Sequence, residues 1–158
     1  MNTEIEHKFL VVSDEFLSLA ICKKRICQGY LAVHPSRTVR VRRSDDRAFI
    51  TVKAPAPAGC IARFEWERPI SLDDFDALFA QCLPGSVEKD RYIVPLADGL
   101  KVEVDVFHGR NEGLVLAEIE LPSEDTPFDR PAFLGADVTG DPRFYNSYLA
   151  EHPFDSWK

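Results

Sequence analysis

The sequence contains no run of 18 or more apolar residues, so it holds no candidate transmembrane helix. The basic-then-apolar layout of a secretory leader is also missing, and a cytoplasmic location is expected. Cysteine is scarce. Cys22, Cys27, Cys60 and Cys82 form no CxxC pair and have no histidine at a zinc-finger offset, which predicts reduced, structural thiols. The histidines (His7, His34, His108 and His152) are scattered and suggest no metal cluster. Basic charge is in deficit, with 19 Lys and Arg against 26 Asp and Glu and a net charge of −7. That balance argues against a broad nucleic-acid-binding face and gives no reason to expect a membrane partner, although it leaves a local basic pocket open. Repeats, low-complexity tracts and dividing linkers are absent too. The 158 residues therefore suit one domain, 1–158, large enough for a real core.

What the sequence does have is one kind of segment, used many times. "EIEHKFLVV" (4–12), "ICQGYLAV" (26–33), "RTVRVRRS" (37–44), "AFITVKA" (48–54), "ARFEWERPI" (62–70), "VEKDRYIVP" (87–95), "KVEVDVF" (101–107) and "LVLAEIEL" (114–121) all read as strands. Turn chemistry separates them, as in His34-Pro35-Ser36, Ser44-Asp45-Asp46, the 55–59 stretch and Ala97-Asp98-Gly99. Three helices are predicted: a short one near 13–20, one capped by Ser71 with Asp74 three residues on, and one near 142–151 opened by Asp141-Pro142. Eight short strands with few helices predict an α+β, mainly β fold: an antiparallel sheet that closes into a barrel.

The alternation inside these strands is unusual in what it alternates. Lys101, Glu103 and Asp105 interleave with Val102, Val104 and Val106, and Arg40 and Arg42 interleave with Val39 and Val41. The same pattern sets Glu4, Glu6 and Lys8 against Ile5, His7 and Phe9, and Glu118 and Glu120 against Ala117 and Ile119. Arg63, Glu65 and Glu67 face away from Phe64 and Trp66, Lys53 away from Val52, and Lys89 and Arg91 share a face. Taken alone, each strand fits a sheet with charges in water. Taken together they do not, because nearly every polar-face position is ionic and the helices carry apolar stripes that need a partner. If the helices pack outside, against the valine faces, the charges line the lumen.

Eight acids balance eight bases on these faces, so the net −7 sits elsewhere. A barrel of about eight strands has room for side chains and one small ligand. Unpaired buried ions cost several kcal/mol each, so such a lumen must be wet and must pair its charges with each other, with metal and with ligand. Carboxylates suit hard divalent cations, and Arg and Lys suit phosphate oxygens. Both together call for a compact, strongly anionic ligand that arrives with metal, such as a short polyphosphate or a nucleoside triphosphate.

"EIEHKFLV" resembles the ExExK signature of the CYTH superfamily, the triphosphate tunnel metalloenzymes. The resemblance runs along the chain through Arg40-Val41-Arg42, "TVK" at Lys53, "RFEWE", "EKDRY", "KVEVDVF", "LAEIELPSED" and "VTGDPRFYNSYLA". It implies an eight-stranded antiparallel tunnel, with helices packed outside, that hydrolyses a terminal phosphoanhydride with Mg2+ or Mn2+. The resemblance implies inorganic triphosphate as the expected substrate. Class IV adenylate cyclase, thiamine triphosphatase and a non-catalytic polyphosphate- or nucleotide-binding module are the alternatives. By position, Lys8, Arg40, Arg42, Lys53, Lys89 and Arg91 would contact phosphates. Glu4, Glu6, Glu118 and Glu120 would lie nearest metal, with Glu65, Glu67, Glu103 and Asp105 further round. Lys8, Tyr30 and Lys53 are the catalytic candidates, Tyr30 and Lys53 matching a Tyr–Lys pair of thiamine-triphosphatase-type members. Arg63 and Lys101 would neutralise acids; His7 and Trp66 would face outward. A monomer or a homodimer is expected.

Overall fold

The computed structural model describes residues 3–55 and 61–157. Cys60 and most of the 55–59 turn lie outside the described residues. Strands β1 (Thr3–Val11), β2 (Cys22–His34), β3 (Arg37–Ser44), β4 (Arg47–Ala54), β5 (Ala62–Ile70), β6 (Val87–Pro95), β7 (Lys101–Phe107) and β8 (Val115–Glu120) form one antiparallel sheet. Their spatial order is β5-β4-β3-β2-β6-β7-β8-β1, and β1 returns to β5 through Thr3–Phe64, Glu4–Arg63 and Ile5–Ala62. The barrel is closed.

Beyond that three-residue seam β1 and β5 part. A short strand the sequence did not announce, β9 (Leu134–Asp137), pairs with β1 at Phe9 and Val11. "LGAD" has no alternation to betray it. β2 is longer than expected because Cys22–Arg25 continue the ladder against Asp90–Ile93 of β6.

The valine faces point out, as the charge pattern predicts. Phe9, Val94, Val102, Val104, Ala117 and Ile119 pack with Phe16, Phe133 and Leu134, which come from a short helix α1 (Phe16–Leu19), the 121–134 segment and β9. On the opposite side Val41, Ala48 and Ile50 pack under α2 (Leu72–Phe79) through Phe75, Leu78 and Phe79. Gly29 of β2 lets α2 approach, since a Cβ there would meet Cys82 Sγ at 2.9 Å. Ser71 caps α2 as expected, its Oγ accepting from Asp74 N at 2.9 Å. Ser71→Ala should destabilise the protein by about 1 kcal/mol, read as a lower thermal midpoint.

The third predicted helix is divided. Asp141 and Pro142 open a 3-10 turn, Pro142–Phe144, and α3 (Asn146–Glu151) follows. Helices α1 and α2 pack outside as expected, and the C-terminal segment packs differently. Tyr30, Val87, Phe107 and Leu116 form an apolar patch at one end of the barrel interior. Phe144, Leu149 and Ala150 cover it, with Phe154 and Trp157 packed behind. Gly85 accommodates this lid: its φ is +96°, and a Cβ there would overlap the Ala150 carbonyl. The lumen is therefore charged for most of its depth, apolar at one end, and closed there by the C-terminal segment.

Among the described residues no helix is long and apolar enough to cross a membrane. His7 faces outward between Phe9 and Phe128, as its alternation implies. Trp66 also faces outward, but it lies outside the α2 cluster and carries the Arg68 guanidinium 4.8 Å above its ring.

Candidate active site

The barrel encloses a cavity of about 770 Å³. Its walls are the ionic faces of the strands: Glu4, Glu6 and Lys8 of β1, Arg40 and Arg42 of β3, Lys53 of β4, and Arg63, Glu65 and Glu67 of β5. Arg91 of β6, Glu103 of β7, and Glu118 and Glu120 of β8 complete the ring, with Tyr30 of β2. Register explains the juxtapositions. Lys8 stands opposite Glu118, Glu6 opposite Glu120, Glu4 opposite Arg63, and Lys53 opposite Glu65.

Charges of opposite sign neutralise one another round much of the ring. Lys53 Nζ lies 2.9 Å from Glu4 Oε1 and 3.3 Å from Glu65 Oε2, and Arg63 bridges Glu4 and Glu6 at 3.0 and 3.2 Å. Glu4 is buried, yet Lys53, Arg63 and a hydrogen bond with Glu65 hold its pKa at about 2. Two regions are left unbalanced. On the β1–β8 wall, burial and the neighbouring Glu118 carboxylate push Glu6 up to about 8. Glu118, although buried, is held well below the carboxylate range by Lys8 at 3.9 Å and by its hydrogen bond with Glu6. Two acids crowded together in this way would be relieved by a cation between them. Glu120 is pushed up as well, by burial and then by Glu4 and Glu103.

The opposite wall has cations in surplus. Arg42 is lowered to about 10 by burial and by the neighbouring Arg40 and Arg91 guanidiniums. Arg40 is 7% exposed, and its Nε has no hydrogen-bond partner among the described residues. Among the described residues its one ion pair is with Glu67, 3.9 Å away. Buried donors in folded proteins are almost always satisfied, so an orphan on a charged group marks a place for an acceptor that the protein does not supply.

The acid-rich wall fits a divalent cation. Its donors are all hard oxygens, and no three acidic, His or Cys side chains among the described residues form a ready cage. That combination suits Mg2+, which takes one or two carboxylates and fills its shell with water and substrate phosphate oxygens.

Two predicted site residues sit at a different depth from the rest. Lys89 and Asp105 face inward, but they do not line the cavity. Lys89 stands opposite Phe107, beneath the C-terminal segment, and it is wholly buried. Its Nζ donates to Asn146 Oδ1 at 2.8 Å and lies 2.7 Å from Asp105 Oδ2, while Arg91 grips Asp105 with Nε and Nη2 at 2.8 and 2.9 Å. Burial lowers Lys89 to about 7 even with Asp105 beside it, and Arg91 and Lys89 keep Asp105 low despite its burial. Alternation reports the face of a strand and is silent about depth along the barrel. Lys101 is at the rim, its side chain half exposed, 4.0 Å from Glu103. Tyr30 and Lys53 both line the cavity without being joined: Tyr30 Oη accepts from Gln28, and Lys53 is held by Glu4 and Glu65.

Sequence reasoning named Tyr30 on β2 but missed the contribution of the C-terminal segment. Lys8 Nζ donates to the Phe144 carbonyl at 2.9 Å, and Tyr145 lies under both Lys8 and Arg63, each 5.4 Å from its ring centroid. Asn146, Tyr148 and Glu151 also line the cavity, as does Arg37. "FYNSYLA" carried a sign of this, since Asn and two Tyr interrupt an otherwise apolar helix start.

A closed antiparallel barrel, charged within and apolar without, with one acid-rich wall and one arginine-rich wall, defines a tunnel built for an anion and a cation together. The chain matches the CYTH domain over residues 2–145 and belongs to that family. It is 40% identical to an inorganic triphosphatase of Acetivibrio thermocellus over 100% of this chain and 99% of that protein. It is 38% identical to an inorganic triphosphatase of Nitrosomonas europaea over 94% and 97%. Among solved structures, an inorganic triphosphatase superposes with a TM-score of 0.65 at 35% identity, covering 95% of each chain.

Proposed function

We propose that the protein is an inorganic triphosphatase that hydrolyses the terminal phosphoanhydride of triphosphate to pyrophosphate and phosphate. The observation that carries this reading is the buried, unpartnered Nε of Arg40 in a crowd with Arg42 and Arg91. Arg40 and Arg42, crowded beside an Arg91 already held by Asp105 and Glu103, offer donors that call for several phosphate oxygens at once. The relatives named inorganic triphosphatase support the choice of substrate.

In this reading Arg40, Arg42 and Arg91 hold phosphate oxygens from one wall, and Lys8 and Lys53 reach them from the β1 and β4 sides. Glu6 and Glu118 hold the cation, Mg2+ or Mn2+, with Glu4, Glu103 and Glu120 around them and Glu65 and Glu67 toward Lys53 and Arg40. When bound, the cation supplies charge neutralisation and Lewis-acid activation. The basic residues stabilise charge that builds on the phosphoryl group and the leaving pyrophosphate as water bonds to the terminal phosphorus and the bridging P–O bond breaks. Lys89 and Asp105 take no contact with substrate; they fix Arg91 from behind.

A panel of inorganic triphosphate, ATP and thiamine triphosphate, each with Mg2+ or Mn2+, tests the assignment. Phosphate release is expected from inorganic triphosphate well ahead of the other two. Cyclic AMP from ATP, or preference for thiamine triphosphate, would overturn it. Tight binding of all three without turnover would point to a binding module instead.

A further inference from the structure

Gln28 is fully buried on the inner face of β2, directly opposite Arg42 of β3. Its Oε1 accepts from Arg42 Nε at 2.9 Å. Its Nε2 lies 3.3 Å from Tyr30 Oη and 3.3 Å from Asn146 Oδ1. Asn146 Oδ1 also accepts from Lys89 Nζ, and Lys89 pairs with Asp105, which chelates Arg91. One continuous buried chain thus links Arg42, Gln28, Asn146, Lys89, Asp105 and Arg91.

The sense of every bond in that chain is fixed from its ends. Arg and Lys only donate, so Gln28 must turn its oxygen to Arg42 and Asn146 must turn its oxygen to Lys89. That leaves the Gln28 NH2 facing two acceptors, and an amide flip at either residue would oppose donor to donor. A carboxylate at position 28 would also accept from Arg42, but it would neutralise the guanidinium and oppose Asn146 Oδ1. The neutral amide aims the cation without quenching it. Asn146 lies just past the residues matched by the CYTH model, on the segment that closes the barrel.

We propose that Gln28, held by Asn146 of α3, is a positioning residue that fixes Arg42 Nε so that the remaining guanidinium donors face triphosphate in the cavity. This rests on the triphosphatase reading. Without Gln28, triphosphate must pay for ordering Arg42 on binding, so the loss falls on KM. Gln28→Leu, close in volume, should raise KM for triphosphate about tenfold with kcat within about threefold, less than the ~100-fold that a misplaced reacting group costs. A merely structural defect lowers the active fraction, hence kcat, and leaves KM alone. Asn146→Ala should move KM the same way by a smaller factor, and it serves if Gln28→Leu fails to fold by its melting curve. In an Arg42→Lys background the Gln28→Leu effect on KM should largely vanish, because the guanidinium it orients is gone.

A tenfold KM rise that collapses in the Arg42→Lys background upholds the proposal. Unchanged KM, or an equal rise in both backgrounds, overturns it. If the unmodified protein releases no phosphate from triphosphate, the triphosphatase reading fails, and the same variants compared by calorimetric binding of inorganic triphosphate alone still decide the positioning role.

Discussion

Arg40→Ala should lower phosphate release from triphosphate by about 10²–10³-fold, the loss seen when one donor to a developing charge is removed. Arg40 is chosen because the protein itself uses it so little. Its Nε is buried without an acceptor, Glu67 is 3.9 Å away, and Arg42 crowds it. A side chain kept this way contributes little to the folded state and is set up for something that arrives later. The thermal midpoint of the variant should therefore hold or rise slightly, since removing one of several crowded cations relieves repulsion. Added triphosphate should raise the midpoint of the parent protein and should raise that of the variant much less. Steady-state kinetics and a melting curve on the same sample check both halves. Full activity with a lowered midpoint would make Arg40 a structural ion and remove the main support for an anion site.

Glu118→Gln should cut metal-dependent turnover by about 100-fold, which corresponds to roughly 2.7 kcal/mol of transition-state stabilisation. The amide keeps the shape and a hydrogen bond to Glu6 but presents no charge to a cation. Raising the Mg2+ or Mn2+ concentration should recover part of the loss if the change acts through metal affinity, whereas Arg40→Ala should show no such recovery. The stability effects of the two variants should also differ in sign. Glu118 is surrounded by Lys8 at 3.9 Å and by Arg91 and Lys89, and it is held low for that reason. Deleting its charge leaves those cations underbalanced, so the midpoint should drop. A variant that retains full turnover at limiting metal would show that cation binding lies elsewhere in the ring.

The sequence made the orientation of the barrel wall legible. Strict exchange of Lys, Glu and Asp with valine in "KVEVDVF" was enough to turn the sheet inside out, and Val102 and Val104 are indeed packed outside while Glu103 lines the cavity. Ring membership of Glu4, Glu6, Lys8, Arg40, Arg42 and Lys53 followed from the same rule. Depth did not, because a period of two says which face a residue takes and nothing about how far along the barrel it sits. Lys89 and Arg91 looked equivalent, yet only Arg91 reaches the cavity. The closing segment was illegible for another reason. Phe144, Leu149 and Trp157 have the composition of any packed tail, and only the apolar inner ends of β6, β7 and β8 give them a destination. Gln28 was passed over because a single amide in "ICQGYLAV" reads as an ordinary strand residue until its three partners are placed around it.

The seam at β1 bears on how the molecule assembles. Glu6 pairs with Glu120 and Glu4 with Arg63, so both edges of this strand find their partners far along the chain. Loop closure over such separations is slow and must precede any energetic return from the contacts it makes. The residues that complete the acid-rich wall are therefore brought together only as the ladder becomes a cylinder. A half-assembled chain would hold most of its hairpins and none of its acid-rich wall, so recovery of activity during refolding would time the closure itself.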